Sequence, residues 1–218
     1  MPRKPAAPED LSAKKALALE VIARLKKEYP DAACTLDYDH AWQLLVSVRL
    51  AAQCTDARVN IVVEDLFAKY PSVAALAAAE PEEIEAIVKP CGLGHSKARD
   101  ISACMRMLRD KYDCKVPTTF EELLSLPGVG RKSANLIMGD VFSKPAIVTD
   151  THCIRLCNKI GLVDGIKEPQ KVEMALWKII PPEEGSDLCH RFVMHGRAVC
   201  NARKPECEKC CLRDICRY

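Results

Sequence analysis

Leu126-Pro127-Gly128-Val129-Gly130-Arg131-Lys132-Ser133-Ala134 is the stretch on which the reading of this chain turns. Pro127 fixes its own φ, Gly128 and Gly130 permit a turn closed to most side chains, and Val129 at the tip can pack down. Ala134, Ile137 or Met138, and Val141 then repeat at helical spacing, so a helix begins just after the second glycine with its first amides bare. Bare amides and the positive end of the helix dipole favour an anion such as a phosphate. A lone Gly-x-Gly reads as an ordinary helix connection, but this longer string is much more specific.

Working outward, helix signals follow one another along the whole chain. Leu17, Val21 and Leu25 form an amphipathic stripe ended by Pro30, and Ala41–Ala52 is more apolar and central. Asp56 can cap a helix that reaches Tyr70 and stops at Pro71, and Pro81 opens another. Ser96 can cap a helix carrying Ala98, Ile101, Met105 and Leu108 on one face. Downstream, Val172, Ala175 and Ile179, then Leu188, Phe192 and His195, suggest two more. No segment shows sustained strand alternation, so the fold class is all-α with short loops. Gly92-Leu93-Gly94-His95-Ser96-Lys97-Ala98 weakly echoes the Gly128–Ala134 string and makes Lys97 a rival to Lys132.

At 218 residues, 49% hydrophobic and only 5% aromatic, the chain suits aliphatic helical packing in one generous core or two compact ones. No apolar run reaches signal-peptide or membrane-spanning length, which makes the cytoplasm the expected location and a membrane partner unexpected. With 32 Lys and Arg against 30 Asp and Glu, bulk charge does not argue for nucleic acid. The stretch from Cys189 to the end is different: seven basic residues face three acidic ones there, a charge that can meet phosphates if it folds around a metal site. Nothing signals oligomerisation, so a monomer is the default.

Lys132 at the start of a helix is, taken alone, an ordinary solvated charge. The positive helix end disfavours an ammonium, however, and so favours a free amine suited to Schiff-base chemistry at a sugar carbon. Asp150 precedes Thr-His-Cys-Ile-Arg-Leu and is a good helix N-cap. The amide bonds of a cap also hold a carboxylate ionised, as a group that stabilises positive charge on a sugar ring needs to be. His152 reads as a structural or phosphate-contacting residue rather than a base.

Thirteen cysteines without an export signal point to reduced thiols and metal ligands. Cys200, Cys207, Cys210 and Cys216 stand in a Cys-x6-Cys-x2-Cys-x5-Cys array, with Arg203, Lys204, Glu206, Glu208 and Lys209 between them arguing against a dry core. Zinc sites usually pair two short knuckles. One x2 gap flanked by x6 and x5 instead favours a loop wrapped around an iron–sulfur core, with Cys211 a bystander.

The hairpin with Lys132, the Asp150 segment, Leu50-Ala51-Ala52-Gln53-Cys54-Thr55-Asp56, His195-Gly196-Arg197 and the four-cysteine ending together resemble the endonuclease III family. Its members are bifunctional DNA glycosylases and abasic-site lyases of the helix-hairpin-helix superfamily. The resemblance spans roughly Ala41 to Cys216. It implies a six-helix barrel domain over residues 34–144 with the helix-hairpin-helix motif, and a helical domain from residues 1–33 and 145–218 ending in a 4Fe-4S cluster held by Cys200, Cys207, Cys210 and Cys216. It further implies base-excision repair: Lys132 attacks C1' of a flipped oxidised pyrimidine nucleotide in double-stranded DNA, Asp150 assists base loss, and β-elimination cuts the abasic site. Gln53 and Leu93 would fill the gap left by the flipped nucleotide, while Gly128, Val129, Gly130, Arg131 and His152 contact DNA. Leu93 also has a plain reading as a hydrophobic contact at a helix end, and Gln53 as a cap. Ala51 stands where the family often has serine, and Leu124 where some members have an acid, which leaves lesion preference open.

Two other classes compete. A non-catalytic DNA-docking module does not account for Lys132 with Asp150, and a small redox carrier does not account for the hairpin. Adenine-removing relatives in the superfamily usually lack the hairpin lysine and carry a further C-terminal domain.

Overall fold

The computed structural model describes residues 11–218. Among them are eleven α-helices and no strand: α1 (Leu11–Glu28), α2 (Ala41–Leu50), α3 (Asp56–Lys69), α4 (Val73–Ala78), α5 (Pro81–Val88), α6 (Gly94–Lys111), α7 (Phe120–Ser125), α8 (Arg131–Asp140), α9 (Thr151–Ile160), α10 (Pro169–Leu176) and α11 (Gly185–Ala198). The chain is all-α. It divides into two compact units, Cys34–Lys144 and the described residues up to Ala33 together with Pro145–Tyr218.

In the 34–144 unit, α4 and α5 pack on α6, while α2 meets α3, α6 and α8. Helix α2 is buried nearly all round, through Trp42, Leu44, Leu45, Val46, Val48 and Leu50, as an apolar central helix should be. Helix α6 buries the expected Ala98, Ile101, Met105 and Leu108. The caps differ from the sequence reading. Thr55, not Asp56, caps α3 by accepting from the Arg58 amide, because Thr55 is the residue with extended backbone. Helix α6 begins at Gly94, two residues before Ser96, with Leu93 as a left-handed N-cap. Ser96 instead accepts from Arg49 at 3.2 Å through its hydroxyl. Helices α4 and α7 are additions to that reading. Each has six residues, fewer than two turns, so neither shows a periodic stripe, although Ser72 and Thr119 cap them in the usual way.

In the other unit, α1 buries Lys14, Ala18, Val21, Ile22 and Leu25, leaving Leu17 half-exposed at the margin of the stripe. Tyr29, just past α1, ties it to α11: the Tyr29 carbonyl accepts from Arg191 Nε at 3.2 Å and its hydroxyl lies 3.0 Å from His195 Nδ1. Helix α10 stops at Leu176, one turn sooner than the Val172–Ile179 spacing suggests, in tight turns ahead of Pro181. The three thiols of Cys153, Cys157 and Cys189 lie fully buried between α9 and α11, and Cys189 Sγ accepts from the Val148 amide at 3.2 Å. That contact holds the strand-like approach to Asp150 against α11.

Asp164 closes this unit. Its carboxylate accepts from Lys14 Nζ of α1 and from Arg217 Nη1 near the C-terminus, both at 2.6 Å. The Lys14 hydrogen bond, then that of Arg217, holds the Asp164 carboxyl below its ordinary value of 3.8. A depressed carboxylate stabilises the fold fully above its unfolded value and loses that contribution as pH falls through the folded one. Asp164→Asn should therefore cost about 1 kcal/mol near neutral pH, screened because the carboxylate is half-exposed, and the difference from wild type should fade in urea melts as pH falls through the depressed carboxyl value.

Candidate active site and cysteine loop

The hairpin is built as the sequence demands at one glycine and not at the other. Gly128 has φ +75°, and a Cβ there would meet Asp100 Cβ at 2.8 Å and Arg49 Cδ at 3.2 Å. The turn is thus seated on an ion pair joining α2 to α6, in which Arg49 Nη2 reaches Asp100 Oδ2 at 2.6 Å. Gly130 has ordinary extended backbone, φ −94°, with nothing within 4 Å of a built Cβ. Its lack of a side chain serves neither turn nor packing; it leaves the start of α8 open, and no side chain caps that end. Val129 lines the small cavity behind the turn with Leu45, Ile101 and Met105, so the tip does pack down. Arg131 stacks its guanidinium 5.0 Å above the Phe120 ring.

The two rival lysines have opposite surroundings. Lys132, the second residue of α8, is exposed and makes no hydrogen bond or ion pair among the described residues. Lys97 is 0% exposed, and its Nζ donates to the carbonyls of Leu50 and Cys91, each at 2.8 Å. Burial pushes its pKa down. Its amine is nonetheless enclosed and cannot meet a substrate. Leu124, on α7 ahead of the hairpin, is 39% exposed, and Ala51 is the half-buried C-cap of α2.

Asp150 is the N-cap of α9, its Oδ1 accepting from the Cys153 amide at 2.7 Å. It is half-buried above the three packed thiols. His152 is half-buried as well, with Nδ1 3.1 Å from Arg155 Nη2, and Arg155 also donates to the carbonyls of Gly196 and Cys200. Gly196 lets α11 approach His152 so closely that no Cβ would fit. His152 is therefore braced into the corner that the His195-Gly196-Arg197 motif forms.

Cys200, Cys207, Cys210 and Cys216 all line one cavity of about 40 Å³. No three His, Cys, Asp or Glu among the described residues stand close enough together for a single metal ion. Two features around the cavity escaped the sequence reading, while Cys211 stands outside it as expected. Lys159 lines it with a buried amine that has no hydrogen-bond partner and lies 3.5 Å from the Tyr218 ring centre. His195, 1% exposed, lies 3.3 Å from Cys210 Sγ through Nε2 while Nδ1 meets Tyr29. Burial pushes the His195 pKa down, and its two ring nitrogens face the Tyr29 hydroxyl and the Cys210 thiol. Cys211 does not line the cavity; its carbonyl accepts from Arg24 of α1 at 3.0 Å. The helical spacing of Arg155 and Lys159, one turn apart on α9, was the available signal.

A family model for HhH-GPD superfamily base excision DNA repair proteins matches residues 46–182. The chain belongs to that superfamily. Endonuclease III of Synechocystis sp. is 43% identical over 207 residues, 94% of each chain. That of Escherichia coli is 37% identical over 204 residues, 94% of this chain and 96% of the relative. A trapped endonuclease III–DNA covalent intermediate superposes with a TM-score of 0.89 at 41% identity, covering 93% of this chain and 95% of that one. An endonuclease III homologue over nearly its whole length, this member of the HhH-GPD superfamily is a base excision repair enzyme, a DNA glycosylase and abasic-site lyase.

For this family member the two hairpin glycines should separate cleanly. Gly128→Ala meets both a left-handed backbone and Asp100, and should lower stability by about 2 kcal/mol. Gly130→Ala should change stability by less than about 0.5 kcal/mol yet weaken DNA binding several-fold, read by fluorescence anisotropy beside a thermal melt.

Proposed function

We propose that the enzyme removes oxidised pyrimidines from double-stranded DNA and then cuts the abasic site by β-elimination through a Schiff base on Lys132. The contrast between the two lysines carries this reading: Lys132 is free and exposed beside the open start of α8, and Lys97 is sealed under two carbonyls. The Lys132 amine attacks C1' of the flipped nucleotide, and the base leaves with the electrons of the glycosidic bond and takes up a proton. Asp150, held by the Cys153 amide, opposes the positive charge that develops on the sugar. Opening of the sugar ring at C1'–O4', with a proton taken up at O4', gives the imine, which acidifies the C2' proton. Its removal expels the 3' phosphate, and water then hydrolyses the imine to return the amine. Gly128, Val129, Gly130, Arg131 and His152 would hold the DNA backbone, with Gln53 and Leu93 in the gap.

The residues present fit a 4Fe-4S cluster better than a zinc ion. Four thiols face one cavity while no three ligands gather around a single-ion position, a spacing that suits a polynuclear core. The unpartnered Lys159 amine offsets the negative charge that thiolates bring. When bound, the cluster would cross-link the 200–216 loop through four metal–sulfur bonds. A cytoplasmic monomer working at the nucleoid completes the reading, and no described helix is long and apolar enough to cross a membrane.

Borohydride trapping on abasic DNA tests the amine. Lys132→Ala should abolish the covalent adduct, and an undiminished adduct would remove Lys132 from the chemistry. Asp150→Asn should slow base release about 100-fold or more while slowing elimination at a preformed abasic site much less. Equal losses would reduce Asp150 to a helix cap. The purified protein should be brown and release acid-labile sulfide, and a colourless protein with one zinc would refute the cluster.

A further inference from the structure

Two exposed turns of the 34–144 unit hold bulky residues in the left-handed region. Gln53, after α2, has φ +57°, and Leu93, before α6, has φ +52° and is 58% exposed. An L-residue with a side chain resists this conformation, and a leucine gains no local hydrogen bond from it. Something must hold both turns in place.

One atom stands between them. Lys97 Nζ donates to the carbonyl of Leu50, the last residue of α2, three before Gln53. It donates equally to Cys91, the last residue of the 89–91 turn, two before Leu93. Both carbonyls lie at helix ends, where acceptors lack intrahelical partners and a cation is favoured. A single ammonium therefore closes two helix ends and fixes the spacing between the chains that leave them. Ser96, beside Lys97, and Asp100, one turn on along α6, both take Arg49 of α2, a further tie between the two helices.

A filler for the core would not need this charge. An apolar side chain of similar length is often as good for stability as a buried ion, whereas a buried ammonium is tolerated only where its hydrogen bonds are made. What the ammonium adds is geometry.

We propose that Lys97 is a positioning residue for lesion recognition. It sets the separation and orientation of the Gln53 and Leu93 turns so that both side chains enter the gap of the flipped nucleotide together. This rests on the reading that Gln53 and Leu93 are the inserting residues. Lys97 itself touches neither DNA nor the reacting sugar.

The test compares two substrates in Lys97→Met, whose side chain keeps the length and loses the donors. One is a duplex with thymine glycol opposite 2-aminopurine, read by single-turnover base release and by the fluorescence rise on extrusion. The other is a single-stranded oligonucleotide with a preformed abasic site, which needs no insertion. Base release and the fluorescence rise should fall about tenfold or more on the duplex, with single-stranded cleavage changed less than about twofold. Gln53→Ala with Leu93→Ala should show the same pattern, and adding Lys97→Met to that pair should cost nothing further, since the lysine acts through them. Equal losses on both substrates, or full duplex activity in a folded Lys97→Met, overturn the proposal while the paired alanines still report insertion. Full duplex activity of the alanine pair instead overturns the insertion reading and this proposal with it. Where Lys97→Met does not fold, Lys97→Gln, which retains a donor, is judged on the same two substrates.

Discussion

The unsatisfied ends of short helices are the constraint on which this structure depends. Each helix leaves amides at its start and carbonyls at its finish without intrahelical partners, and eleven helices among 208 described residues make many such ends. Four helix starts are closed locally by a side chain, through the Thr55, Ser72 and Thr119 hydroxyls and the Asp150 carboxylate. The start of α8 is not. Gly130 has no side chain to cap it, and the lysine of the proposed chemistry stands at the next residue but one. The functional reading begins where the fold leaves an end open.

The opposite solution appears at the finish of α2 and of the 89–91 turn, where Lys97 serves two ends at once. Two lysines in similar sequence settings thus divide between roles by burial. The difference follows from what surrounds each glycine string. Gly92 and Gly94 lead into α6, which packs against α2, α4 and α5, and a lysine on its inner face has no water to reach. The string at Gly128 leads into α8, whose inner face is Ala134, Asn135, Leu136 and Ile137, and Lys132 precedes that face.

The unit holding the cysteine loop is organised by residues that each bridge distant segments. His195 connects Tyr29 to Cys210, Asp164 connects α1 to the C-terminus, and Arg155 connects α9 to both Gly196 and Cys200. The loop from Cys200 onward has one 3₁₀ turn and no longer helix, so these contacts and the four thiols around one cavity carry its shape. A bound cluster would be the largest such bridge.

Much of this was legible in the sequence. Helical periodicity placed the buried faces of α2 and α6, Asp150 announced itself as a cap, and the four cysteines picked out of thirteen by their spacing line one cavity. These are properties of neighbours along the chain, which sterics and hydrogen-bond supply determine locally. The left-handed Leu93, the absence of any steric need for glycine at Gly130, the buried amine of Lys159 and the fate of Lys97 were not legible. Each depends on which atoms the tertiary packing brings from tens of residues away, as Leu50 and Cys91 are brought to one nitrogen. A lysine's role is decided by whether water or carbonyls surround its amine, and only the folded chain settles that.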